Sequence, residues 1–178
     1  MNMEEQIIEK DSVNSKLDEL KQLQLIEDED TQKDKFLTFR IGNEDYAIDI
    51  KYINEIISIQ KITSVPNIKK YIKGIINLRG NIIPVIDVRL RFHIDEKEYT
   101  DKTCIVVTSI NNVHVGLIVD EVSEVLSIPE DKISPPPQTN KGAKSRYIQG
   151  IGKDGQKVKV MINLFKLLYD EEKPVMEN

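Results

Sequence analysis

The sequence predicts a mainly β protein, a sandwich or barrel, with few and short helices. Two observations carry this. About ten short stretches rich in Val, Ile, Phe and Tyr follow one another, with turn signals every 8–12 residues. No stretch alternates strand and helix patterns, which argues against a doubly wound parallel sheet.

The clearest unit is KGIINLRGNIIPVIDVRLRF, Lys73 to Phe92. Apolar runs Ile75–Leu78 and Ile82–Val88 flank Arg79-Gly80-Asn81, where Gly and Asn suit the positive φ of a tight hairpin turn. An arginine therefore stands at the hairpin tip. Pro84 cannot donate to a ladder, so its strand is expected to be an edge or bulged there. Asp87 and the residues after it read as one short helical turn.

Taken in order, Met1 to Lys35 holds 11 acidic and 5 basic residues. Leu17, Leu20 and Leu23 repeat at three, with Ile7 and Ile8 apart from them. Two readings stand: a solvated, partly helical tail, or a helix that docks on the body or a partner. Phe36–Ile41 and Tyr46–Ile50 read as a hairpin around Gly42–Asp45. Lys51–Ile56 reads as a short helix or an irregular crossover, Glu55–Gln60 and Ile62–Val65 as strands, and Ile68–Tyr71 as a turn of helix. Polar His93–Lys102 is the expected boundary between two units. Thr103–Ser109 reads as a strand buried on both faces, turning at Asn111-Asn112 into Val113–Val119. Asp120–Ile128 reads as a bent strand. A proline-rich loop follows to Ser145, then a hairpin, Tyr147–Ile151 with Lys157–Ile162. Asn163 caps a final helix, 163–170, and 171–178 is a C-terminal tail.

Beyond Lys35 the chain holds 19 acidic and 20 basic residues, so the folded body is near neutral. That balance offers no basic stripe for nucleic acid or anionic lipid. One cysteine, Cys104, excludes an internal disulfide framework and any cysteine-built zinc cluster. No apolar run of membrane-spanning length occurs, and the start lacks a signal-peptide pattern; a reducing cytosolic setting fits. His93 and His114 have no ligand partners at metal spacing. Gly150 to Gly155 matches G-x-G-x-x-G, but a strand pattern follows where a dinucleotide site needs a helix, so it reads as turn chemistry. No acid–base couple stands out. Catalysis is unsupported and binding remains. Ile53, Ile56 and Ile57 crowd around Glu55, and Val122, Val125 and Leu126 do the same later. Each could fill a core or line a groove. Arg79 is either a solvated tip charge or a planar fork for a carboxylate or carbonyls, of a partner or of a neighbouring loop.

Four pieces carry a family resemblance: FLTFRIGNEDYAIDI, VPNIKKYIKGIINLRGNIIPVIDVRLRF, GLIVDEVSEVLSI, and YIQGIG with NLFKLL. From Phe36 to about Leu168 the chain resembles the CheW family of chemotaxis coupling proteins. The resemblance implies two intertwined five-stranded SH3-like β-barrels over 36–170, the first roughly 36–92, the second roughly 103–162, with a groove between them. It implies no enzymatic activity, no cofactor and no metal. It implies that the chain bridges chemoreceptor tips to the regulatory domain of the histidine kinase CheA in the cytoplasm. It would be recruited to membrane receptor arrays without inserting, and would be a monomer in isolation. Receptor-facing candidates by position are Ile53, Glu55, Ile56, Gly74, Arg79, Val122 and Val125. Kinase-facing candidates are Ile62 and Val65. A CheW-like module of a CheV-type or CheA-related protein is the alternative; the C-terminal residues EEKPVMEN leave no room for a receiver or kinase domain after it.

Overall fold

The computed structural model describes residues 15–16, 18–23, 31–138 and 142–171. The chain forms two compact units, Met1–Lys33 and Asp34–Asn178. In the first, residues 18–23 are helical, with Leu20 and Leu23 exposed. The expectations for Ile7, Ile8, Leu17 and the tail beyond Glu171 lie outside the described residues.

The second unit is built of strands. They are β1 (Lys35–Ile41), β2 (Glu44–Asp49), β3 (Ile53–Ser58), β4 (Ile72–Leu78) and β5 (Asn81–Asp87), then the one-turn helix α1 (Val88–Arg91). After it come β6 (Cys104–Ile110), β7 (Val113–Val119), β8 (Glu121–Ser127), β9 (Ile133–Ser134), β10 (Ile148–Asp154), β11 (Lys157–Ile162) and α2 (Leu164–Tyr169). One sheet has the order β8-β1-β2-β11-β10-β9, the other β3-β6-β7-β5-β4.

The expected split into barrels at 36–92 and 103–162 is therefore not how the sheets are made. β1 and β2 join the late strands, while β3, β4 and β5 pair with β6 and β7. The exchange is made by four pairings, two parallel, β2 with β11 and β5 with β7, and two antiparallel, β1 with β8 and β3 with β6. Turn chemistry specifies only which neighbours in sequence pair, so these long-range partners left no local signal.

The five-stranded sheet curls until the connection after β3 meets β4. Thr63 exchanges both backbone hydrogen bonds with Ile75 at 2.9 Å, tying the β3–β4 connection to the outer edge of β4. That single bridge is all that remains of the strand expected at Ile62–Val65. The helical turn expected at Ile68–Tyr71 is reduced to one tight turn, in which Ile72 N–H donates to the Lys69 carbonyl at 2.9 Å. Pro66 lacks a donor, and Asn67 turns back with φ 59°.

Alternation sorts the apolar residues into three cores. Ile83 and Val85 of β5, Ile105 and Val107 of β6 and Ile118 of β7 fill the five-stranded barrel. Their neighbours Ile86, Val106, Leu117 and Val119 face the other way, against Leu37, Phe39, Tyr46 and Ile48 of the six-stranded sheet. β6 is thus buried on both faces, as its sequence predicts. Ala47, Ile128 and Met161 fill the third core. The rings of Phe39, Tyr46, Phe92 and Tyr147 stack in series through the middle, centroids 5.2–5.9 Å apart.

Of the two expectations for Pro84, the edge is not met, since β5 is an inner strand, and the bulge in the β4–β5 pairing falls on the partner strand, between Ile72 and Gly74. Pro84 is tolerated because the parallel ladder to β7 starts only at Val85. On the other side it faces Ile75, whose backbone groups are both committed to Thr63. No ladder bond is lost.

Arg91 is 1% exposed. Its Nε donates to the Leu167 carbonyl at 2.8 Å and Nη2 to that of Asp170 at 2.5 Å, capping the end of α2. Its guanidinium lies over the rings of Tyr71 and Tyr147, at 4.1 and 4.9 Å from their centroids. At the start of the same α1 turn, Asp87 Oδ1 accepts from the Arg89 and Leu90 N–H groups. Asn163 caps α2 in the same way through Lys166 N–H.

Candidate functional site

The site is organised by the β4–β5 tip. Its turn is not made as the sequence suggested. Positive φ falls on Arg79 (52°) and Gly80 (86°), not on Asn81. Asn77 Oδ1 accepts from Gly80 N–H at 2.9 Å and holds the turn shut. An arginine in the left-handed region is uncommon, and here it aims the side chain at β3.

There Arg79 meets Glu55. Nη1 donates to Oε1 at 2.6 Å and Nη2 to Oε2 at 2.8 Å, a two-pronged pairing. Of the readings open for Arg79, the neighbouring element of its own chain is the one realised. The guanidinium holds the Glu55 carboxyl below its ordinary range. The pair is exposed on the arginine side, so its main effect is positional: it joins the outer strand β3 to the far hairpin and fixes both outlines.

Along β3, exposure alternates residue by residue. Ile53 packs on the core between the sheets, while Ile56 is 44% exposed. On β8, a bulge opposite Thr38/Phe39 separates the two valines. Val122 packs on that same intersheet core, and Val125 stands 48% exposed. Thr38 Oγ1 bridges the bulge, donating to the Glu124 carbonyl and accepting its N–H. The structure therefore brings Glu55 and Arg79 into contact and sets Ile53 and Val122 on one core. It leaves Ile56 and Val125 as the solvent-facing apolar members.

Gly74 needs correction as a partner-facing residue. It is buried, with φ 146°, and a Cβ there would stand 2.1 Å from the Thr63 carbonyl oxygen. Its place is explained by the close crossing of the β3–β4 connection over β4. Ile62 and Val65 on that connection are half-buried, and Ile62 packs against the barrel interior.

Two residues escaped the sequence reading. Ile82 and Val113, at the tips of the β4–β5 and β6–β7 hairpins, are 61% and 47% exposed. With Glu55, Arg79 and His114 they border a depression of about 620 Å³. The alternation of Ile82 out and Ile83 in was readable beside the RGN turn. A second tie lies on the other flank. Asp120 Oδ2 accepts from Arg89 Nη1 at 2.5 Å and from Gly42 N–H at 2.7 Å, linking α1 to the β1–β2 turn.

Among the described residues no group of three or more His, Cys, Asp or Glu side chains is arranged to hold a metal ion. The Gly150–Gly155 motif lies on β10 and its hairpin turn, as its strand context predicted.

Comparison with known proteins then adds the following. The description "CheW-like domain" matches residues 35–172. A Chemotaxis protein CheW of Klebsiella aerogenes is 36% identical over 149 residues, covering 84% of this chain and 90% of that one. A Chemotaxis protein CheW of Treponema pallidum is 31% identical over 148 residues, covering 81% and 87%. Among solved structures, the scaffolding protein TtCheW of Thermoanaerobacter tengcongensis aligns with a TM-score of 0.72 at 36% identity. That alignment covers 82% of this chain and 99% of that one.

Proposed function

Because the chain belongs to the CheW-like family, we propose that its scaffold role in chemotaxis is to couple chemoreceptor tips to the histidine kinase CheA. The chain is an adaptor and not an enzyme, as family membership entails. One observation carries the receptor assignment: outer strand β3 holds exposed Ile56 on one face and the Glu55–Arg79 pair on the other, so both border its free edge. An apolar side chain next to a fixed polar pair is what a helix laid along a groove needs, a hole for its apolar ridge and a marker for register. Val125 extends the apolar surface on the other sheet. Ile62 and Val65 are taken to face the kinase regulatory domain. Among the described residues no helix is long and apolar enough to cross a membrane. Recruitment to the array is taken to run through the partners, from the cytoplasm.

The test is sedimentation with receptor-bearing membranes and CheA. Ile56→Asp changes an exposed side chain, so the fold stays intact, and receptor capture falls about tenfold or more if it anchors the contact. Arg79→Ala lowers both capture and receptor-dependent kinase stimulation. Full recovery of both variants in the pellet, with normal stimulation, rules this assignment out.

A further inference from the structure

A second cavity, of about 450 Å³, lies away from the Glu55–Arg79 pair. Its walls are Ile62, Ser64, Lys73, Asp87, the 96–98 segment and Tyr99. Asp87 is 3% exposed. Its Oδ1 is occupied by the two N–H groups at the start of α1, and among the described residues no hydrogen bond reaches Oδ2. Asp87 lines the cavity, and the charge of its carboxyl is felt by Lys73 and Tyr99 there. Burial pushes that carboxyl above its ordinary range. The Lys73 Nζ bonds to Glu96 Oε1 at 2.5 Å and makes no hydrogen bond to Asp87. Three carboxylates (Asp87, Glu96, Glu98) and two lysines (Lys73, Lys97) line the walls, so the cavity carries an unbalanced negative charge. The Tyr99 ring, 41% exposed, forms one side.

We infer that this cavity receives an arginine side chain from a protein partner, its guanidinium donating to Asp87 Oδ2 and stacking on Tyr99. A buried carboxylate with an open oxygen calls for a cation with several donors. An adjoining aromatic face selects a planar guanidinium over an ammonium. Ile62 stands on the rim, so the partner is taken to be the kinase regulatory domain; that clause rests on the proposed function.

The site itself is tested without any partner. The full chain is titrated by amide NMR with N-acetyl-arginine methylamide, its citrulline counterpart, which has the same shape without charge, and its lysine counterpart. Saturable shifts at Ser64, Lys73 and Tyr99 are expected for arginine alone. Asp87→Asn keeps an acceptor for the helix cap and therefore the fold, yet should weaken the arginine probe about tenfold. Tyr99→Leu, on an exposed side chain, should weaken it too. Equal binding of citrulline or lysine, an unchanged Asp87→Asn, or unsaturable shifts spread over Glu121 and Glu124 would overturn the site. The partner is tested by capture of the CheA regulatory domain. Loss in Asp87→Asn supports it. Full capture by Asp87→Asn, with Ile56→Asp still failing to bind receptors, removes the kinase as the arginine donor and leaves the coupling role standing.

Discussion

Replacing Arg91 by alanine should be the most damaging single change that leaves every strand untouched. The side chain makes two hydrogen bonds to carbonyls at the end of α2 and lies over two tyrosine rings. A hydrogen bond from a charged donor is worth about 1.5–3 kcal/mol, and each ring contact about 0.5–2 kcal/mol. Alanine also relieves the guanidinium of its desolvation, several kcal/mol, which offsets much of that sum. What remains is the orphaning of the Leu167 and Asp170 carbonyls and the gap beside Tyr71 and Tyr147. The net expectation is a loss of about 3–4 kcal/mol, which lowers the melting temperature by roughly 10 °C in a unit of this size. Arg91→Lys keeps charge but not the planar fork, so it should recover only part. The chain has no tryptophan, so urea unfolding is followed by far-ultraviolet circular dichroism and tyrosine fluorescence. Amide exchange at Leu167 and Asp170 should quicken in parallel. A variant within about 0.5 kcal/mol of the parent would refute the claim that this buried cation holds α2 in place.

Three further outcomes follow from the same structure. Gly74→Ala, whose methyl would sit 2.1 Å from the Thr63 oxygen, should cost more than about 3 kcal/mol or abolish soluble expression, whereas Gly42→Ala, with φ 60° and open space, should cost only about 1–2 kcal/mol for its left-handed backbone; urea midpoints compare the two. Asp87 has a folded pKa raised above 3.8 by burial. The folded state then holds its proton more tightly than the unfolded chain, so stability falls as pH rises from the unfolded value through the folded one. The stability of the parent minus that of Asp87→Asn should therefore shrink between acid and neutral pH; a difference that grows instead contradicts the burial argument. Asp45 runs the opposite way. Lys159 holds its carboxyl below the ordinary range, so its contribution is present above about pH 4 and is lost as pH falls through the lowered value. Asp45→Asn should narrow the acid dependence of the urea midpoint.

Much of the strand pattern was legible because it rests on local chemistry. Asn111 and Asn112 both take positive φ, 51° and 63°, and that turn was readable from two adjacent asparagines. Asn163 was readable as a cap, and Thr103–Ser109 as a strand with two buried faces, one residue ahead of the observed Cys104–Ile110. The Arg79 conformation was not, because the adjacent Gly80-Asn81 looked the better pair for positive φ. Arg91 was invisible for a different reason. In VRLRF it alternates with apolar residues just as an exposed charge would, and its partners lie 76 and 79 positions away. The Glu55–Arg79 pair was half legible: each residue stood out by itself, but only the curling of the sheet brings the opposite edges β3 and β4 close enough to join them.

The two parallel pairings bear on how such a chain comes off the ribosome. Asp45 at the start of β2 meets Lys159 of β11, 114 positions later. The first hairpin must wait, unpartnered on one side, until β11 has been synthesised. Neither half can complete a sheet alone, so cutting the gene between 93 and 102 should yield fragments that are soluble only when produced together. Contacts so distant in sequence also predict slow refolding for a domain of this length.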